Sequence, residues 1–283
     1  MQIIRKKLSF AKGQQTAEVL YGACWHIGNP CSSEGAIEKF IERAVKQSWW
    51  HAGDLVEGIT PSDKRSQASE HSDTLLSTMS VASGHLASAS KTCWGLICGN
   101  HEYGGSGDIG SVAEKIAVDA KVPYLGMVVY FSVQCPKGDS LIFAAHGAGS
   151  MGFNSGLPER DQINRELKLR RILKPFQADV KCVAHYHRTI ISPRVTHYKG
   201  TVQQGQFKRR ACVENNEWCM ACPSLFGNYG AESMGSYAEM KLYPPTDIGW
   251  LGIVFNRDGS VACIREYSSD GVIAQEVEER LVR

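Results

Sequence analysis

Trp94-Gly95-Leu96-Ile97-Cys98-Gly99-Asn100-His101-Glu102 is the stretch that decides how this chain is read. Its first five residues form a short apolar run, the pattern of a strand buried on both faces. Glycine, asparagine and histidine follow at once. Chemically capable groups placed directly after a buried strand lie at the carboxyl edge of a sheet, where loops converge and backbone groups are free. The same arrangement recurs on both sides of it. Upstream, Glu18 to Ala23 is a strand ending at Cys24-Trp25-His26, and Trp49-Trp50-His51-Ala52 is a short strand ending at Gly53-Asp54. Downstream, Leu141 to Ala145 ends at His146-Gly147, and Val180 to Ala184 ends at His185-Tyr186-His187.

Between these strands the chain reads as helix. Gly35 to Gln47 has apolar residues at helical spacing (Ala36, Ile37, Phe40, Ile41, Ala44, Val45), and Val112 to Ala120 is a second helix. Glu159 to Leu173 is amphipathic and basic; Lys168, Arg170, Arg171 and Lys174 give it a charged face expected to be solvated. Residues 66–90 are serine-rich with scattered apolar positions and read as a helix, with a loop as the alternative. Gly126 to Val133 is a further strand. The last third reads as short strands and turns, with a hairpin from Leu251 to Tyr267 around Arg257-Asp258-Gly259. Alternating strand and helix predicts an α/β fold. The Trp49-Trp50 pair is expected in its core. His51, His71, His85 and His197 have no partner pattern and read as structural or exposed.

The chain has 283 residues, 43% hydrophobic and 21% charged, ordinary values for a globular protein. A net charge of +2 neither requires nor excludes a nucleic-acid partner, because such binding needs only a local basic patch. Lys208-Arg209-Arg210 is a candidate for that, or a solvated hairpin tip. The basic start, Met1 to Lys7, lacks the apolar run of a signal peptide, and no stretch approaches the ~20 apolar residues of a membrane span. The expectation is a cytoplasmic protein with no membrane partner. Its ten cysteines are then expected as reduced thiols. Cys219-Met220-Ala221-Cys222, with Cys212 nearby, is a single C-x-x-C pair without a second and reads as free thiols rather than a zinc site.

The strand-end groups have the chemistry of a metal site. Phosphoester hydrolysis needs an activated water and positive charge on the phosphoryl oxygens, and two ions about 3.5–4 Å apart supply both. Such a pair needs nitrogen and oxygen ligands and a carboxylate to bridge them. His26, Asp54, Asn100, His146, His185 and His187 offer these, with Cys24 beside them. A single histidine of this kind would more often be structural. The ordered set, each member at a strand end, points to a site.

These residues resemble the calcineurin-like metallophosphoesterases, whose pattern is D-x-H, G-D, G-N-H-E, a lone His and G-H-x-H. The resemblance runs from Cys24 to His187, more than half the chain. The local text is similar to phage and prophage members at Trp25-His26-Ile27-Gly28, at Gly53-Asp54-Leu55-Val56-Glu57 with Asp63-Lys64-Arg65, and at Tyr237-Ala238-Glu239 with Tyr243-Pro244-Pro245. The resemblance implies a four-layer α/β sandwich of two mixed sheets flanked by helices. It implies one domain over residues 1–283, with a motif-bearing core over roughly 1–190 and strands and loops of 191–283 completing the sandwich and covering the site. The implied activity is metal-dependent hydrolysis of phosphoesters, phosphodiesters first, with nucleic acid or a nucleotide as candidate substrate.

By the same resemblance, a first metal site uses Cys24, His26, Asp54 and His187. A second uses Asp54, Asn100, His146 and His185, with Asp54 bridging. His101 binds no metal and sits near the leaving-group oxygen as general acid or charge stabiliser. Asn29 is a candidate substrate contact, or simply part of a turn. Two positions depart from the pattern: Ala184 stands for the usual glycine, and Cys24 for the usual aspartate. A thiolate favours Zn or Fe in the first site, with Mn, Zn or Fe in the second. The alternative is a non-catalytic or redox-switched metal-binding scaffold with an impaired first site.

Overall fold

The computed structural model describes residues 2–58, 74–104, 111–152, 155–203, 206–215, 217–227 and 246–282. Within them, two six-stranded mixed sheets carry the chain. In the first, β2 (Thr16–Gly22), β3 (Trp49–His51) and β4 (Cys93–Leu96) lie parallel. On its other side β2 pairs antiparallel with β12 (Gly249–Asn256), which leads through β13 (Val261–Ser268) to β14 (Ile273–Glu278).

The second sheet runs β1 (Gln2–Lys7), β5 (Val128–Cys135), β6 (Gly138–Ala145), β7 (Val180–Val183), β11 (Trp218–Ala221) and β8 (Ile190–Ser192). Here β1 lies parallel to β5, β6 to β7 and β7 to β11; β5–β6 and β11–β8 are antiparallel. A third, three-stranded sheet holds β9 (Val195–Gln203), β10 (Gln206–Asn215) and β15 (Arg280–Val282).

Period-two alternation sorts the strand residues into layers. Val19, Tyr21, Trp50, Leu251 and Ile253 from the first sheet meet Val129, Phe131, Ile142, Cys182 and Met220 from the second. Leu20, Trp49 and Trp250 point the other way, onto α1 (Glu34–Ala44), α2 (Leu75–Ser88) and α4 (Val112–Asp119). Phe143, Val183 and Cys219 pack with Leu169 and Leu173 of α5 (Pro158–Leu173). The order is therefore helices, sheet, sheet, helix, the four layers expected. Trp49 and Trp50 are both fully buried, one in each apolar layer.

The helix expected over 66–90 is present as α2; residues 59–73, including Asp63-Lys64-Arg65 and His71, lie outside the described residues, as do Tyr237 to Tyr243 and the two prolines that follow. Three features lie beyond the sequence reading. The basic N-terminal segment is an edge strand, β1. The loop after β4 is a short helix, α3 (Asn100–Gly104). The last third contains the long hairpin β9–β10, on which Lys208-Arg209-Arg210 lies. On α5, Arg170 is no solvated charge: its guanidinium donates to Ser192 Oγ at 2.6 Å and to Ser192 O at 3.2 Å. The nine described cysteines are free thiols. Cys219 faces the α5 layer and Cys222 the layer between the sheets, so the two do not share an ion. Among the described residues no helix is long and apolar enough to cross a membrane.

Candidate metal centre

The strand ends place their polar groups together. Cys24, His26, Asp54 and His187 bring one ligand atom each into a cluster whose members all lie within 4.8 Å of one another. Asp54, His146 and His185 form a second cluster by the same measure, so Asp54 belongs to both. Asn100 joins the second, its Oδ1 lying 3.0 Å from His146 Nε2. Asp54 Oδ2 is also 3.0 Å from His146 Nε2. All seven positions expected to bind metal are thus brought to one place.

Close approach of two loops makes this possible. Gly53 has a φ of 91°, and a Cβ there would lie 2.6 Å from Gly99 N and 2.8 Å from His146 Nδ1. A Cβ on Gly99 would lie 2.2 Å from Asp54 N. The loops also carry strain. Positive φ is uncommon outside glycine. Among the described residues it falls at Cys24, His26, Asp54, Lys121, His185 and His187, five of which are candidate ligands. Strain of that kind costs of order 1–3 kcal/mol per residue and persists only where surrounding bonds fix it. Those bonds are visible: Cys24 N donates to Gly53 O at 2.9 Å, His26 N to Asp54 O at 3.1 Å, and Ala184 N to His146 O at 2.7 Å.

Two carboxylates that the sequence reading left without a role hold the site in place. Glu102 is fully buried, and its carboxylate accepts from Gly99 N at 2.7 Å, Asp54 N at 3.0 Å, Val56 N at 3.1 Å and also from Leu55 N. It ties the Asp54 loop to the Asn100 loop. Glu57 accepts from His26 Nδ1 at 2.8 Å, which leaves His26 Nε2 free to bind. Both residues stood in the quoted motifs, Glu57 in G-D-x-x-E and Glu102 in G-N-H-E. Phe226, whose ring lies tilted 4.8 Å from His26 and edge-on 5.6 Å from His187, had no sequence signal.

Hydrogen bonds assign the imidazole faces. His146 Nδ1 donates to Ala52 O at 2.7 Å and keeps Nε2 for a ligand role. His185 Nε2 donates to Gly149 O at 3.0 Å and keeps Nδ1. His26 Nε2 and His187 Nε2 lie 3.1 Å apart. One ring can donate to the other across that gap, and a cation bound by both would take the place of the shared proton. With a thiol and a carboxylate in the same cluster, the donor set fits a transition metal.

Charge follows the geometry. Burial opposes the Asp54 carboxylate, but its bond to His146 and the nearby His26 and His101 hold it well below the usual range. Burial, then the Asp54 charge, pushes the Cys24 thiol well above its ordinary value. Burial and the neighbouring His26 lower His187, and burial with His146 lowers His185. His101, on α3, donates from Nδ1 to Glu57 O at 2.6 Å, and its Nε2 lies 4.0 Å from Asp54 Oδ2. Burial and His26 keep that ring below the ordinary histidine range. Asn29 Oδ1 accepts from Cys31 N at 2.9 Å, so that oxygen is committed to the turn. His51, read as having no partner, is fully buried beside the site and accepts from Gly53 N at 3.2 Å.

No family model matches the chain, and no curated protein matches it. Among solved structures it is similar to the phosphoesterase Yfce of E. coli (12% identity, TM-score 0.44, covering 92% of this chain and 98% of that one). It is also similar to wild-type Vps29 of Entamoeba histolytica complexed with zinc (13% identity, TM-score 0.43, 92% and 98% covered). A metallophosphoesterase from Sphaerobacter thermophilus is a third (13% identity, TM-score 0.35, 93% and 89% covered). Likeness at these identities and scores leaves the chemistry of the site to its own side chains.

Proposed function

We propose that the protein is a metal-dependent phosphoesterase acting first on phosphodiesters. The observation that supports this most directly is Asp54: one buried carboxylate belonging to two adjacent clusters of metal-ligand type. The first ion would be held by Cys24, His26, Asp54 and His187, the second by Asp54, Asn100, His146 and His185. Bound there, two ions supply an activated water and positive charge for the phosphoryl oxygens.

The remaining chemistry belongs to the side chains. His101 Nδ1 is occupied by Glu57 O, so Nε2 is the atom that meets substrate. In its neutral form this ring only accepts at Nε2. An arriving phosphate anion favours the imidazolium, which then donates from Nε2 to the leaving oxygen. Glu57 holds His26 in one tautomer, and Glu102 keeps the Asp54 and Asn100 loops at a fixed separation. Nucleic acid or a nucleotide is the proposed substrate class.

The test is metal content by elemental mass spectrometry together with hydrolysis of bis-p-nitrophenyl phosphate and p-nitrophenyl phosphate, after loading with Zn, Fe or Mn. Near two metals per chain, with diester turnover that His101→Asn lowers while metal content holds, is the expected result. Fewer than one metal and no turnover with any of the three would overturn the proposal in favour of a non-catalytic scaffold.

A further inference from the structure

Phe226 stands at the metal centre and has no part in the chemistry above. The centre has a floor and a rim: Cys24, His26 and Asp54 are buried, whereas His101, His185, His187 and Phe226 are partly exposed. The Phe226 ring centroid lies 4.8 Å from that of His26, with the planes tilted by 48°, and 5.6 Å from that of His187. His26 is closed off from solvent, so the accessible part of the Phe226 ring lies on the side away from it, among the rim groups.

The ring is also held in place. Leu225 N donates to Cys24 O at 3.1 Å, Ser33 N to Leu225 O at 2.8 Å, and Gly227 N to Cys31 O at 3.0 Å. Phe226 O accepts from Ser224 Oγ at 2.7 Å and from Thr246 Oγ1 at 3.2 Å. The residues on both sides of Phe226 are thus bonded to the loop that carries Cys24 and His26. Packing on two imidazoles restricts the side chain as well, so little freedom is left to lose when a ligand arrives. Tyr186, whose ring lies 5.7 Å from His185, is instead tied by its hydroxyl to Ala148 O at 2.9 Å.

A phenyl ring offers nothing to a phosphate. It is matched to a planar apolar group carried by the substrate, which would cover its exposed part and stack on it. His26 Nε2 is a candidate ligand atom, so a phosphoryl group held at the centre has Phe226 beside it, within reach of a substituent on an ester oxygen. We propose that Phe226 is a stacking platform for a nucleobase of the substrate, next to the phosphoester bond that is cut. This rests on the phosphoesterase proposal and narrows its substrate class to phosphodiesters that carry a base. Every base has a π face, so the platform selects nucleotides without reading their sequence.

The experiment compares dithymidylate with the same sugar–phosphate backbone lacking both bases. The leaving hydroxyl is the same in the two compounds, so a difference reports the bases. Turnover is measured for metal-loaded wild type, Phe226→Leu and Phe226→Trp, with metal content checked in each. Equilibrium binding is measured for the same three side chains in a His101→Asn background, where substrate survives. The wild type should prefer dithymidylate about tenfold, the scale of one base–aromatic stack. Phe226→Leu keeps apolar bulk against His26 and His187 but has no ring, and should cut the preference to about twofold or less. The loss should appear in KM rather than in kcat, since a stack made equally in ground and transition states is uniform binding. Phe226→Trp should retain the preference. No preference in the wild type, or one that persists in Phe226→Leu, overturns the platform. So does a leucine variant that loses metal and slows on both compounds equally, which would show that the ring only packs the ligands. Absence of turnover for both compounds would count against the phosphoesterase reading instead, and the binding preference would still decide the role of Phe226.

Discussion

The Cys24 thiol is fully buried, and burial with the Asp54 charge keeps it protonated at neutral pH without a metal. Binding as thiolate must therefore release a proton, so affinity for Zn should rise with pH, by about one log unit per pH unit for that proton. Cys24→Ser should remove this proton from the pH slope and lose one of the two proposed metals; Cys24→Asp should shift preference from Zn towards Mn. Competition titrations with a chelator between about pH 6 and about pH 8 would check the slope. A slope unchanged in the serine variant would mean that Cys24 is a buried, unbound thiol. Glu102 makes a different prediction. Glu102→Gln replaces an oxygen facing backbone N–H groups with an amide that also donates. It should cost about 2–3 kcal/mol in urea unfolding and reduce metal occupancy, although Glu102 is not in either ligand cluster.

At the scale of elements, the site depends on how closely the β3 and β4 loops approach. Gly53→Ala needs positive φ and meets Gly99 N at 2.6 Å, so it should destabilise by roughly 2–3 kcal/mol and empty the metal centre. Thermal melts with and without Zn would show both effects. On the other face, Lys181 is fully buried on β7; its ammonium donates to Leu173 O at the end of α5 and pairs with Glu217. Lys181→Met removes a charge from an apolar layer and should cost little, whereas Glu217→Gln leaves the ammonium unpaired and should cost roughly 2 kcal/mol or more. Equal costs in urea melts would contradict this account. The strands bearing the motifs were legible in the sequence because a buried strand followed by a polar group is a local signal. The roles of Glu57 and Glu102 were not, because Glu57 acts on an imidazole 31 residues away and Glu102 on backbone N–H groups 46 to 48 residues away as well as on nearby Gly99. Nor did local pattern reveal β1: only Ile3 and Ile4 of its six residues are apolar, it lies at a sheet edge, and only pairing with β5 makes it a strand. His51 was equally illegible, since its partner, Gly53 N, becomes visible only once the turn is built.

For the whole molecule, a metal held as proposed would be linked to the fold, because its strained candidate ligands follow strands of both sheets. A metal that binds only the folded chain stabilises it by mass action, about 2.7 kcal/mol at a hundredfold excess over Kd. Zn should therefore raise the melting temperature, and a chelator should lower it to the metal-free value; no change on loading would mean that the clusters do not bind. The first sheet has another consequence, one for synthesis on the ribosome. Tyr21 of β2 pairs with Leu251 of β12, so nearly the whole chain separates these neighbours. Until β12 emerges, the nascent protein presents one side of β2 as an open strand edge, flanked by fully buried Val19, Leu20 and Tyr21. Chains stalled or cut before β12 should accordingly be the species that aggregate and recruit chaperones, while the full-length chain carries its own cover for that edge.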